Sequence, residues 1–190
     1  MIAKNIARYL ETDFAEKPKN WRPLIYCWRG GKRSGAMTYI LRQIGWNAHV
    51  LESGYKNYRR HVIAELSTLP QQFKFQVITG ATGSAKTSVL IALGKQGAQV
   101  LDLENLAKHK GSVLGNLLNQ PQPSQKHFES LLLQALQSLD STRIVYVEAE
   151  SKKIGQLQVP DSLLEIMRQS PCIKIAATLE ARVNFLQRDY

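Results

Sequence analysis

Two short stretches carry residue types that do chemistry. In the first, "YCWRGGKRSGAM", Cys27 heads a loop made of Trp28, Arg29, Gly30, Gly31, Lys32, Arg33 and Ser34. The apolar run Pro23-Leu24-Ile25 precedes it and a helix-like stretch from Gly35 to Leu41 follows. A strand, a glycine-containing loop and a helix in that order form an anion cradle, because loop N–H groups converge on the sulfur and the helix starting near Ser34 adds its positive end. Those donors and the nearby cations favour thiolate over thiol, which makes Cys27 a candidate nucleophile with a lowered pKa. The competing reading is a structural thiol buried at a strand end.

The second stretch, "VITGATGSAKTSV" from Val77 to Val89, follows the pattern G-x-x-x-x-G-K-S/T, with Gly80 first and Lys86 and Thr87 last. In such a loop the backbone from Gly83 through Ser84 and Ala85 to Thr87 cradles phosphates, Lys86 reaches the terminal ones and the Thr87 hydroxyl ligates magnesium. One position departs, since Ala85 stands where the pattern has its second glycine. If the backbone there is left-handed, alanine costs roughly 1–2 kcal/mol. Downstream, the apolar run "RIVYV" ends in Glu148, and "QVL" ends next to Asp102, with Glu104 two residues on. An acid at such a strand end holds magnesium or orients an attacking group, so Glu148 and Asp102 are the candidate acids and Glu104 a further one.

Composition narrows the classes. At 44% hydrophobic and 21% charged residues, the 190-residue chain reads as globular rather than disordered. No apolar run of about 18 residues is present, and the N-terminus has acidic residues but no apolar signal core, so neither a membrane span nor secretion is expected. Two cysteines in unlike contexts, Cys27 and Cys172, fit a reducing cytoplasm better than a disulfide framework. Cys172, at the start of an apolar run, is expected to be a core thiol. The four histidines have no ligand spacing, so no zinc site is expected. A net charge of +10 favours a polyanionic partner such as RNA.

Short β-rich runs alternate with helical stretches, the signature of a parallel α/β architecture. The patterns predict strands at Leu24–Tyr26, Ala48–Leu51, Phe75–Thr79, Gln99–Leu101, Arg143–Glu148 and Ile173–Ala176. They predict helices at Ile2–Leu10, Ser34–Ile44, Tyr55–Leu66, Ala85–Lys95, Gln125–Leu139, Ser162–Gln169 and Leu179–Asp189. The stretch "STLPQQFKF" marks a domain boundary near residue 70, giving domains 1–70 and 71–190. "NQPQPSQ", from Asn119 to Gln125, reads as a loop within the second.

The loop "YCWRGGKRSGAM" resembles the active-site loop of the rhodanese-like family, and Cys27 with Arg33 also satisfies the C-x5-R spacing of cysteine phosphatases. Those phosphatases usually carry a histidine where this chain has Tyr26. A cysteine loop followed by a P-loop is more specific than either alone, and the pair resembles the tRNA 2-selenouridine synthase family. The likeness runs through "VLESGYKNYRRHV", "ITGATGSAKT", "VLDLENLAKHKGS", "VEAESKKIGQLQVP" and "LEARV". It implies a partial rhodanese-like three-layer α/β domain, the C-terminal half of one, followed by a P-loop NTPase-like parallel-sheet domain. The chain is read as lacking the front half of the first and the C-terminal end of the second.

The resemblance further implies a transferase acting on tRNA, with Cys27 as the catalytic thiol. Sulfur in wobble 2-thiouridine would be replaced by selenium from selenophosphate, through an S-geranylated intermediate made from geranyl diphosphate. No tightly bound cofactor is implied, although magnesium near Thr87 would suit the loop. The alternatives are a rhodanese-type sulfurtransferase or cysteine-dependent phosphatase fused to an NTPase, or a non-catalytic tRNA-binding remnant. For tRNA, the basic helix "GYKNYRRHV" offers Lys56, Arg59 and Arg60, and Lys152 and Lys153 extend the candidate patch.

Overall fold

A computed structural model describes residues 2–111, 115 and 120–189. Ser112 and Asn119, which end and begin two of the segments singled out above, lie outside them. The chain divides into two compact units, Met1–His61 and Val62–Tyr190.

In the first unit, α1 (Ile2–Glu11) leads into β1 (Leu24–Ile25), α2 (Lys32–Ile44), β2 (His49–Val50) and the start of α3 (Gly54–Thr68), the helix in which the division falls. The two short strands pair in parallel, Leu24 with His49 and Ile25 with Val50. Helix α2 packs on both strands and buries Ser34, Thr38 and Leu41. It ends at Gly45, whose left-handed φ of 108° lets its N–H close on the carbonyls of Leu41 and Arg42. Strands this short bury little, and aromatic packing supplements them. Trp46 meets Phe14 and Trp21 edge-on, both at 88°, and its Nε1 donates to Pro18 O at 3.1 Å.

The second unit opens with a 3-10 turn (Leu69–Gln72) and β3 (Lys74–Gly80), and continues through α4 (Lys86–Lys95), β4 (Gln99–Leu101) and α5 (Leu103–Ala107). Then come α6 (Gln125–Gln137), β5 (Ile144–Glu148), β6 (Lys153–Ile154), β7 (Leu157–Gln158), α7 (Asp161–Gln169), β8 (Cys172–Ile175) and α8 (Leu179–Asp189). Four strands form one sheet in the order β4-β5-β3-β8, every pair parallel. This is the parallel α/β sheet that the alternating pattern implied. Phe128, Leu132 and Leu136 recur every four residues and so share one face of α6. They are fully buried with Val145 and Val147 of β5 and with Leu163 of α7.

Helix α5 and the antiparallel β6–β7 hairpin, turned at Gly155 with φ 58°, were not expected from the sequence. Two-residue strands and a five-residue helix are too short to show a period. Cys172 is a correction: it is exposed rather than in the core, because β8 lies at the edge of the sheet, paired among the described residues with β3 alone. Among the described residues no helix is long and apolar enough to cross a membrane.

Phe128 is 0% exposed within the apolar cluster. Phe128→Ala is expected to lower the unfolding free energy by about 3–5 kcal/mol, measured by urea denaturation. A loss under about 1 kcal/mol would contradict this packing.

Candidate functional site

Cys27 follows β1 and precedes α2. Gly31 N donates to its Sγ at 3.2 Å, and Ser34 Oγ lies 3.3 Å from the sulfur. Ser34, buried in the first turn of α2, also reaches Gly31 O at 3.1 Å. One hydroxyl has one proton to give. Beside a thiol, Ser34 accepts from S–H and donates to Gly31 O; beside a thiolate, it turns its proton to the sulfur. The Ser34 hydroxyl first, then the N–H groups of Gly31, Ser34 and Arg29, hold the Cys27 thiol down to about 6. The lowering comes from these donors rather than from the side chains of Arg29, Lys32 and Arg33, which stand exposed where water screens them. Those three cations, with Cys27, Trp28 and Gly31, line an open cleft of about 410 Å³.

What fixes the loop is a contact that the sequence reading missed. Gly30 and Gly54, both left-handed at φ 62° and 63°, meet backbone to backbone. A Cβ on Gly30 would sit 2.6 Å from Gly54 N, and one on Gly54 would run into Cys27 O. The first N–H groups of α3 then cap the loop, Tyr55 N donating to Cys27 O at 2.9 Å and Lys56 N to Trp28 O at 3.0 Å. The available signal was Ser53-Gly54 immediately before a helical pattern, a turn marker.

In the second unit, the loop between β3 and α4 borders a cleft of about 370 Å³. Gly83 has φ 80°, and Ala85 is left-handed at φ 61°, ψ 31°. Alanine therefore occupies the conformation for which the pattern has glycine. Gly80 has no room for a side chain, since a Cβ would lie 2.6 Å from Ser84 Oγ and 2.9 Å from Ile175 O. Lys86 Nζ donates to Gly80 O at 3.2 Å, and Thr87 Oγ1 donates to Glu104 Oε2 at 3.3 Å. Glu148, at the end of β5, is 4% exposed, and its Oε1 has no hydrogen-bond partner. Ser84 Oγ is likewise buried and unpaired.

Glu104, Glu148 and Glu150 bring one carboxylate oxygen each within 4.8 Å of one another. Burial, reinforced by the neighbouring carboxylates, pushes Glu104 up to about 7 and Glu150 up to about 8, and burial raises Glu148 as well. An oxygen-only donor set of this charge suits a hard divalent cation. Glu150 was not anticipated, because nothing in the sequence says that the chain turns back into the cleft after β5. Asp102 is a correction: its carboxylate accepts from Asn105 N at 2.8 Å and caps α5, leaving Glu104 to face Thr87. The cleft also has an apolar flank, with Ile91 of α4 and Phe185 and Leu186 of α8. Arg182 Nε binds Thr82 O at 2.8 Å and holds α8 against the loop.

Of the basic candidates, Lys56 and Arg60 are exposed. Arg59 is corrected: it is 8% exposed, turned to the buried side of α3 and unavailable to a phosphate in solvent. Lys152 is exposed but paired with Asp161 at 3.0 Å, and Lys153, on β6, is exposed.

Two measurements check this geometry. In a Cys172→Ser background, the iodoacetamide alkylation rate of Cys27 is expected to reach half its maximum near pH 6, and Ser34→Ala should move that midpoint up toward the ordinary thiol value of about 8.5. A wild-type midpoint already near 8.5 would refute the thiolate cradle. Ala85→Gly removes the left-handed strain, so thermal melting should rise by the equivalent of about 1 kcal/mol; a lower melting temperature would count against the conformation described.

Comparison with known proteins identifies the family. Residues 73–190 match the family described as the tRNA 2-selenouridine synthase AAA domain. A tRNA 2-selenouridine synthase of Nitrosomonas europaea is 37% identical over 172 residues, which cover 89% of this chain and 44% of that protein. One from Alcanivorax borkumensis is 39% identical over 168 residues, 87% of this chain and 45% of the relative. One from Marinobacter nauticus is 33% identical over 178 residues, covering 93% and 46% respectively. No solved structure matches. The chain spans a little under half the length of these relatives, and it belongs to the tRNA 2-selenouridine synthase family.

Proposed function

We propose that this chain carries the cysteine loop and the phosphate loop of a cytoplasmic tRNA 2-selenouridine synthase, a transferase that replaces the sulfur of wobble 2-thiouridine by selenium. In this reading residues 1–70 are the C-terminal half of a rhodanese-like domain and residues 71–190 a P-loop domain. The observation that carries it is the thiol of Cys27, held in the thiolate form at neutral pH by Ser34 and loop N–H groups inside an open cationic cleft. Selenophosphate, a tetrahedral anion, fits that cleft and would meet the sulfur there.

The second cleft supports a role for geranyl diphosphate, since it joins a phosphate loop to the apolar flank of Ile91, Phe185 and Leu186. The first half-reaction forms a bond from the tRNA sulfur to C1 of the geranyl chain. The C1–O bond breaks, and pyrophosphate leaves with the electron pair. Lys86 and the N–H groups of the loop would bind that leaving group. In the second half-reaction the selenium of selenophosphate bonds to C2 of the base, and the C2–S bond breaks with the geranylthio group leaving as geranyl thiol. Water takes the phosphoryl group as the P–Se bond breaks, releasing phosphate. Glu104, Glu148 and Glu150 with Thr87 would hold magnesium, whose charge would offset the repulsion between these carboxylates and a diphosphate. Lys56, Arg60 and Lys153, all exposed, would meet tRNA phosphates.

The two half-reactions can be tested separately on the chain, with mass spectrometry of the tRNA nucleosides. Cys27→Ala is expected to abolish formation of 2-selenouridine from S-geranylated tRNA and selenophosphate. Lys86→Ala should leave that step intact, yet weaken geranyl diphosphate binding by roughly 1.5–3 kcal/mol, on the order of 10- to 100-fold, and slow geranylation accordingly. Selenation by Cys27→Ala at the wild-type rate would overturn the role of the cysteine, and unchanged diphosphate affinity in Lys86→Ala that of the loop.

A further inference from the structure

Beside the cysteine loop lies a group of four aromatic rings for which the reading above has no use. Tyr55, half-buried in the first turn of α3, is the hub. Tyr26 stacks on it at 6.5 Å and 29°, while Trp28 at 5.4 Å and 34° and Tyr58 at 5.9 Å and 40° lie tilted to it. Three of the four face solvent broadly: Tyr26 is 60% exposed, Trp28 49% and Tyr58 37%. In the other aromatic group of the same unit, Tyr9 lies on Phe14 at 23°, Phe14 on Trp21 at 52°, and Trp46 meets both Phe14 and Trp21 at 88°. Phe14, Trp21 and Trp46 there are only partly exposed, so exposure is what sets the first four rings apart. Their position is preorganised, because Tyr55 N and Lys56 N are bonded to the carbonyls of Cys27 and Trp28.

We infer that Trp28, Tyr55, Tyr58 and Tyr26 form a stacking platform for an unpaired nucleobase of single-stranded RNA, placed to hold that base next to Cys27. Trp28 itself lines the cysteine cleft with Arg29, Lys32 and Arg33, and no carboxylate is among the six residues lining it. A flat ring with an attached phosphate is the ligand that needs both an aromatic face and such cations. Three of the rings are phenols, which tolerate water at their rims, and the surface is open rather than a closed aliphatic channel. Both features favour a base over an isoprenoid chain. The inference rests on tRNA as the substrate and adds how one nucleotide is brought to the thiol.

The test is equilibrium binding of a short fluorescein-labelled single-stranded RNA to the whole chain, by anisotropy across a salt series. Trp28→Phe and Trp28→Leu both keep an apolar side chain smaller than tryptophan, but only phenylalanine keeps a ring. Trp28→Leu and Tyr58→Ala are expected to weaken binding on the order of tenfold each, since stacking contributes about 1–3 kcal/mol per base. Their dependence on salt should stay parallel to wild type, because no ionic contact is removed. Trp28→Phe should bind within about threefold of wild type. Tyr39→Ala, an exposed tyrosine of α2 outside the group, should bind as wild type does. Equal affinity of Trp28→Leu and Trp28→Phe, or a loss matched by Tyr39→Ala, would overturn the platform while leaving the tRNA reading in place. Failure of the wild-type chain to bind RNA at all would overturn both.

Discussion

In a parallel pair, both strands deliver their C-terminal ends to the same edge of the sheet, and each candidate site of this chain lies just beyond such an edge. In the first unit, the register Ile25 with Val50 makes the chain leave β1 at Cys27 where it leaves β2 at Ser53 and Gly54. That is why two glycines distant in sequence meet backbone to backbone. In the second unit, Ile78 pairs with Glu148 and Leu101 with Val147. The phosphate loop, Glu104 and the acids after β5 therefore emerge side by side. Shifting any of these registers by one residue would reverse the side on which every following side chain points, and the sites would disperse.

The two sites hold negative charge by opposite means. At Cys27 the charge is small, near solvent and met by N–H and O–H donors, so the charged form is favoured and the thiol titrates low. Across the second cleft three carboxylates face one another with few donors among them, so the neutral form is favoured and two of them titrate near or above neutrality. Lys86, whose charge offsets part of that rise, bonds to Gly80 O. A chain carrying +10 overall thus keeps one strongly acidic pocket. The excess of basic residues is spread over the surface and does not neutralise it, because solvent screens charges at that distance.

Local spacing made both loops legible in the sequence, along with the helices that follow them and the parallel sheet between. Gly80, Lys86 and Thr87 are fixed relative to one another by a few bonds, and so are Cys27, Gly31 and Ser34. What was illegible depends on burial and on distant register. Arg59 and Arg60 are adjacent and chemically alike, yet one is buried and the other exposed, according to which side of α3 the core occupies. Asp102 and Glu104 sit two apart, and a cap captures the one nearer the strand. Glu150 joins Glu148 only because the backbone beyond β5 keeps to the cleft, which no period of two or 3.6 foretells.

Local costs also gather at the phosphate loop. Ala85 holds a left-handed conformation that disfavours any side chain, and Gly80 is pressed by Ser84 and Ile175. Of the three buried side-chain atoms without a hydrogen-bond partner among the described residues, Ser84 Oγ and Glu148 Oε1 belong to this loop and its cleft. Each unsatisfied group costs about 1–3 kcal/mol, and folding alone gives no reason to place them together. Strain and orphaned polar atoms persist where a ligand relieves them. In the proposed reading a diphosphate would take up the loop donors and a cation the carboxylates, so the residues that cost stability here would be the source of affinity.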